Sequence, residues 1–245
     1  MIYITGDTHI PIDIHKLSTR RWPKQNNLTK DDYLIVCGDF GLIWNYLETG
    51  LSVPANPDDR HWVPEELFWY KWLNEKPFTT LWIDGNHENF DRLKTYPVTE
   101  WHGGKVQKIS DSIIHLMRGQ VYEIDGSTFF TLGGARSIDR GPATGTEKRD
   151  SHIIWWPEEQ PSVGEYDEAL SNLEVHGNKV DYIITHEAPP SILLQKGYQL
   201  SELANFLWQL NDTVEFERWY CGHLHEDEQY GKVRVLYDDI VVVGE

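Results

Sequence analysis

Cysteine is nearly missing from this sequence, with two thiols, Cys37 and Cys221, in 245 residues. A disulfide-built scaffold is thereby excluded, since one bridge is the most that can form. Each cysteine ends an apolar stretch before a glycine, "LIVCGD" and "RWYCGH", which suits a small buried thiol in a reducing compartment. Long hydrophobic runs are missing too. None approaches the roughly 18 residues of a membrane span, and Asp7 breaks the first apolar run too early for a secretory signal. A cytoplasmic protein with no membrane partner is expected. Basic residues are scarce, 22 against 39 acidic ones, for a formal net charge of −17. So acidic a surface repels nucleic-acid backbones and anionic membranes, and tight nonspecific DNA or RNA binding is not expected. A small anion held by bound cations is still admitted, because a cation dominates its local field. Repeats, low-complexity linkers and compositional breaks are also lacking, so residues 1–245 read as one domain.

Short β-branched runs are plentiful instead. Strands are expected at "MIYIT" (from Met1), "YLIVC" (Tyr33), "TTLWID" (Thr79), "SIIHLM" (Ser112), "QVYEI" (Gln120), "TFFTLG" (Thr128), "DYIITH" (Asp181), "RWYCGH" (Arg218), "KVRVLY" and "IVVVG". Continuous apolar runs predict strands covered on both faces, and alternation as in "QVYEI" a half-exposed one. Helices are expected over "PEELFWYKWLNE", with Pro64 and two glutamates in its first turn, and over "VGEYDEALSNLEVHG", closed by Gly177. "LSELANFLWQLN", opened by Ser201, and the brief "NFDRLKTYP" complete the set. Helices among strands early and a strand-rich middle predict an α/β protein with a mixed sheet or two sheets. The stretches Gly41–Val63 and Gly133–Gly164 lack clear structure, and loops of that length are commonly functional or mobile.

The strands end in a recurring chemistry: Gly6-Asp7-Thr8-His9, Cys37-Gly38-Asp39, Asp84-Gly85-Asn86-His87-Glu88, Thr185-His186 and Gly222-His223-Leu224-His225. Five of the eleven histidines fall here, each at a strand end, and four of them close to Asp, Asn or another His. Strand ends along one sheet edge are where open α/β folds place their sites. In an extended segment residues i and i+2 share a side, so Asp7 with His9, and His223 with His225, can each face one cavity. Neighbours diverge, so Asn86 and His87 are expected to do different jobs. Carboxylate, imidazole and amide oxygen without thiolate favour Mn, Fe or Zn over a closed structural zinc.

In this order, GDTH, GDF, GNHE, TH and GHLH resemble the calcineurin-like metallophosphoesterase superfamily, and the match covers nearly the whole chain. The resemblance implies a four-layer α/β/β/α sandwich with two mixed sheets face to face and the site on loops at one edge. It implies two divalent transition metals: Asp7, His9 and His225 on the first, Asn86, His186 and His223 on the second, and Asp39 bridging both. His87 would stay off the metals near the leaving group. The implied activity is hydrolysis of a small phosphorylated substrate, with the metals acidifying the attacking water. Asp84 or Glu88 could orient His87, or each could be a solvated strand-end carboxylate.

The residues after the second motif separate the branches. Phosphoprotein phosphatases continue with an Asp-Arg-Gly that binds phosphate, and purple acid phosphatases place a tyrosine three residues after the aspartate. Here the chain reads "GDFGLIW", with Leu42 at that position, so a small bacterial or phage-type member is expected. The missing arginine tilts the expectation towards phosphodiesters or nucleotides. Phosphoprotein or other phosphomonoester hydrolysis is the alternative, and a non-catalytic metal-binding scaffold would be expected to lack a ligand or His87. In "GGARSIDRG", Arg136 and Arg140 are substitute phosphate binders, with Arg136 the better placed, or else a solvated basic loop. Trp62, Trp69, Trp72, Trp155 and Trp156 either form an aromatic wall for substrate or fasten the long loops, the latter favoured. His15, His61, His102, His115, His152 and His176 read as ordinary.

Overall fold

The computed structural model describes residues 1–44, 63–137, 148–149, 152–153 and 155–245. In chain order come β1 (Ile2–Thr5), β2 (Tyr33–Val36), α1 (Pro64–Asn74), β3 (Thr79–Trp82), α2 (Phe90–Leu93), β4 (Val98–Trp101), β5 (Gly104–Ser110) and β6 (Ile113–Leu116). Next are β7 (Gln120–Ile124), β8 (Ser127–Leu132), the short β9 (Lys148–Arg149) and β10 (His152–Ile153), α3 (Val163–Val175) and β11 (Tyr182–Thr185). Last come α4 (Pro190–Gln195), α5 (Glu202–Thr213), β12 (Arg218–Cys221), β13 (Glu228–Tyr230), β14 (Val233–Val235) and β15 (Ile240–Val242). Trp62 and Arg140, and most of the first long stretch, lie outside the described residues.

Two mixed sheets result. One runs β15-β1-β2-β3-β6-β5-β4, with β1, β2, β3 and β6 parallel and antiparallel strands at both edges. The other runs β13-β14-β12-β11-β8-β7, with β14, β12, β11 and β8 parallel and antiparallel edges again. The last two strands divide between the sheets: β14 joins the second, and β15 returns to pair with β1 in the first.

Alternation along the strands builds three apolar cores. Ile4, Ile35, Leu81 and Ile114 from the first sheet meet Tyr122, Phe129, Ile184 and Tyr220 from the second. On the first sheet's other face, Tyr3, Leu34, Val36 and Trp82 pack against Trp69 and Leu73 of α1. On the second sheet's other face, Phe130, Ile183 and Trp219 pack against α3, α4 and α5 through Leu173, Ile192 and Leu207. Period-2 strands buried on both faces thus yield the α/β/β/α layering. The caps follow the sequence. Ser162 and Glu165 form a capping box on α3, and Ser201 Oγ accepts the Ala204 N–H at 3.0 Å on α5. Two hairpins turn on His102-Gly103 and Asp125-Gly126, all four residues at positive φ, as the twist of tight two-residue hairpins requires. Trp69 and Trp156 are buried in the outer core of the first sheet and Trp72 packs against it, a fastening role.

Candidate metal centre

The motif residues converge at the carboxyl ends of adjacent parallel strands. Asp7 follows β1, Asp39 follows β2, and Asn86 and His87 follow β3, all from the first sheet. His186 follows β11 and His223 and His225 follow β12, from the second. Asp7 and His186 are fully buried, Asp39 and Asn86 nearly so, while His225 is 50% exposed. Ligand-type atoms of Asp7, His9 and His225 lie within 4.8 Å of one another, as do those of Asp39, His186 and His223, and those of His9, Asp39 and His87. The seven expected ligands and His87 therefore gather in one place, Asn86 through its approach to His186, and Arg136 lines the cavity beside them.

Asp39 stands between the two halves. Its Oδ2 lies 3.1 Å from His9 Nε2, and its Oδ1 lies 3.3 Å from His186 Nε2 and accepts the His87 N–H at 2.8 Å. His186 Nδ1 donates to the Cys37 carbonyl at 2.7 Å. Its Nε2 lies 3.3 Å from Asn86 Oδ1. His9 is oriented in the same way by Asp13, whose Oδ2 lies 2.8 Å from Nδ1. Such partners set the tautomer and the aim of a ligating imidazole. Asp7 Oδ1 accepts the His223 N–H at 3.0 Å. The buried Oδ2 makes no well-directed hydrogen bond, with His225 Nε2 at 3.1 Å. The His225 ring stacks on Tyr237 at 4.7 Å.

The local backbone is unusual. His9, Asp39, His223 and His225 all have positive φ, four of the seven such non-glycine residues described. Sparsely populated conformations of this kind cost of order 1–3 kcal/mol each and persist where surroundings over-determine them. Asp7 and His9 do meet, and so do His223 and His225 at the cavity, but through left-handed turns rather than extended chain. Glycine admits the close approach: a methyl on Gly85 would strike the Asp39 carboxylate, and one on Gly222 the Asp7 carboxylate.

Electrostatics call for positive charge here. Burial works against a charged His186, yet the carboxylates of Asp39 and Asp7 push it up to about 10. Burial would raise the Asp39 carboxyl, but the imidazoles of His186 and His9 hold it well below its ordinary value. Asp7 is lowered against the same burial by His186 and His225, and His9 is raised against burial by Asp39. Burial lowers His223. Two buried carboxylates gathered with several imidazole nitrogens fit a divalent cation, which would displace the imidazole protons, and the donor set of oxygen and imidazole fits Mn, Fe or Zn.

Neither carboxylate considered as a guide for His87 acts as one. Asp84 is buried, and its Oδ2 accepts from Arg118 Nε at 2.8 Å while Oδ1 lies 3.1 Å from His115 Nε2. Glu88 is buried too and accepts the Phe40 N–H at 2.7 Å; burial, helped by Asp39, pushes its carboxyl well up. Both brace the loops that carry Asp39, Asn86 and His87, and neither is solvated. Three further residues join the site in three dimensions. Asp13 orients His9. The Lys16 ammonium donates to the carbonyls of Gly6 at 3.1 Å, Asp7 at 2.7 Å and Tyr237. Glu187 Oε2 accepts the Arg136 N–H at 3.0 Å, and its Oε1 lies 3.9 Å from His223 Nε2. Asp13, four residues after His9, and Glu187, next to His186, were detectable as acids beside motif histidines.

A cavity of about 810 Å³ opens over the cluster, lined by Asp39, Asn86, His87, His223 and His225 together with Arg136 and Glu187. Among the described residues no helix is long and apolar enough to cross a membrane. No curated protein matches the chain. One family model does, described as calcineurin-like phosphoesterase, over residues 1–227. The match takes in all five motifs that form the cluster, and the chain belongs to the calcineurin-like phosphoesterase family.

Proposed function

We propose that this chain hydrolyses small phosphate esters, phosphodiesters or nucleotides in preference to phosphoproteins and other phosphomonoesters, using two divalent cations of the Mn, Fe or Zn kind. Asp7, His9 and His225 hold one cation, Asn86, His186 and His223 the other, and Asp39 contacts both. The observation that carries the reading is Asp39, with one oxygen 3.1 Å from His9 Nε2 and the other 3.3 Å from His186 Nε2, across the two sheets. Bound there, the cations neutralise charge on phosphoryl oxygens and acidify water.

The remaining roles belong to the protein. His87 is tied to Asp39 by its backbone N–H, and its side chain lines the cavity. It is placed to hand a proton to the departing alkoxide oxygen. Asn86 adds a second polar contact at the phosphoryl position. Arg136 lies at the cavity with its guanidinium tethered to Gln199, Nη2 to Oε1 at 3.0 Å, and offers a charge-assisted contact to a substrate oxygen. The lack of an Asp-Arg-Gly after Asp39, where the chain reads Phe40-Gly41-Leu42, supports the diester preference. The three cores draw strands from all along the chain, which supports one domain, and the two buried free thiols support a reducing, cytoplasmic setting.

Hydrolysis of bis-p-nitrophenyl phosphate and p-nitrophenyl phosphate by metal-stripped protein reloaded with Mn²⁺ tests the reading, with His87→Ala alongside. Hydrolysis by the reloaded protein, diester first, with most of the rate lost in the variant, is the expected result. Mn²⁺ binding without turnover of either ester, with Fe and Zn exchanged in as well, would favour a non-catalytic scaffold.

A further inference from the structure

The cavity is larger than a phosphoryl group fills. Its 810 Å³ falls in the range of about 300–1,000 Å³ typical of sites that enclose whole organic ligands. Beyond the ligand cluster, its lining comes from the end of α4 and the connector to α5: Leu193, Tyr198 and Gln199, joined by Leu224 next to His223. This wall is braced from both sides. The chain leaves α4 through Gly197 at φ +80°, and the Tyr198 N–H returns to the Leu193 carbonyl at 2.9 Å, a helix-closing turn that fixes where Tyr198 begins. On one side Gln199 receives Arg136. On the other, Lys196 pairs with Glu226, the residue after His225, and Glu226 also accepts the Tyr230 hydroxyl at 3.2 Å.

The wall is apolar where the rest of the cavity is polar. Tyr198 remains 51% exposed, an aromatic face available for stacking. Outside the ligand cluster and His87, the charged groups lining the cavity are Arg136 and Glu187, one of each sign. Among the described residues no charged side chain lines the cavity along Leu193, Tyr198, Gln199 and Leu224, so a flat uncharged group would find an apolar bed there.

We infer that Leu193, Tyr198 and Leu224 form the subsite for an aromatic or heteroaromatic ester group of the substrate, its ring against Tyr198; this rests on the phosphoesterase reading above. Aryl and nucleoside esters are then preferred over phosphorylated sugars and polyphosphates.

The test is inhibition of bis-p-nitrophenyl phosphate hydrolysis by inorganic phosphate, ribose 5-phosphate and thymidine 5′-monophosphate, in Mn²⁺-loaded wild type, Tyr198→Ala and Tyr198→Phe. Thymidine monophosphate is expected to inhibit wild type and Tyr198→Phe at least tenfold more tightly than the other two. Tyr198→Ala is expected to lose that advantage while its inhibition by phosphate stays within twofold. A nucleotide no better than phosphate in wild type, or an advantage retained in Tyr198→Ala, overturns the subsite. If wild type hydrolyses no ester, the phosphoesterase reading is what fails. Calorimetric titration of the same three anions into the loaded protein then decides the subsite, and equal affinities refute it.

Discussion

Arg118→Met removes the cation that holds Asp84 beneath the loop of Asn86 and His87. Asp84 is buried, accepts from Arg118 through Nε at 2.8 Å and through Nη2, and faces His115. Arg118 also donates to the Glu158 carbonyl at 2.7 Å. Burial alone would raise the Asp84 carboxyl, but Arg118 and His115 outweigh it and hold it at about 2, below its ordinary 3.8. At about 1.36 kcal/mol per pH unit, that difference contributes roughly 2.4 kcal/mol to folding. The sign follows from a depressed carboxyl: the contribution is complete above about pH 4 and is lost as the pH falls from 3.8 towards 2. Without Arg118 the carboxylate stays buried and under-compensated, a loss of about 3–5 kcal/mol. For a chain of this size that lowers the melting temperature by about 6–20 °C. Urea denaturation at pH 7 and pH 4 measures it. The deficit is expected to be largest at pH 7 and to shrink at pH 4, where protonation relieves the stranded charge. Asp84→Asn combined with Arg118→Met is expected to regain part of the loss, since no charge is then left unpaired. A single variant within about 1 kcal/mol of wild type at pH 7, or a deficit unchanged at pH 4, would refute the account.

Asp13→Ala frees the His9 ring from its 2.8 Å partner and is expected to weaken Mn²⁺ binding about 10–100-fold, read by calorimetry with circular dichroism unchanged. Gly85→Ala forces a methyl into the Asp39 carboxylate. It is expected to cost at least as much metal affinity as Asp13→Ala, and near-wild-type affinity would contradict the packing described. Saturating Mn²⁺ at about 100 times its Kd adds about 2.7 kcal/mol to the folded state. Melting is then expected roughly 5–11 °C higher than in chelator, and no shift in scanning calorimetry would count against a native cation site.

The central strands were legible because they are buried on both faces, and continuous runs such as "YLIVC" and "YIIT" carry that signature. The hairpin β4–β5 was not. Val98, Thr99 and Glu100 are exposed on the outermost strand, and an edge strand facing water has no need of an apolar pattern. The helix α4 was hidden by Pro189-Pro190, which reads as a break, although a proline suits the first helical position. At the site, the ligand types and their order were visible in five short motifs. Apart from Asp13, four residues from His9, most of the partners were not, because they come from elsewhere: Arg118 and His115 lie 34 and 31 residues from Asp84. His115, unremarkable in sequence, is buried between Asp84 and Gln107. Local spacing encodes which atoms face a cation, while the groups that orient them depend on tertiary contact.

The hydrogen bonds from His186 to the Cys37 carbonyl and from the His223 N–H to Asp7 join the rim of one sheet to the rim of the other. Asp7 and His186 are therefore stitches as well as ligand candidates. His225 is not: it is half open to solvent and leans on Tyr237. Mutational routes to an inert but folded descendant are unequal as a result. Replacing His225 empties one ligand position at little cost to the sheet-to-sheet seam, whereas replacing Asp7 or His186 opens the seam itself. A lineage drifting away from turnover would shed His225 early and keep Asp7 and His186 long after their chemistry had ceased to matter.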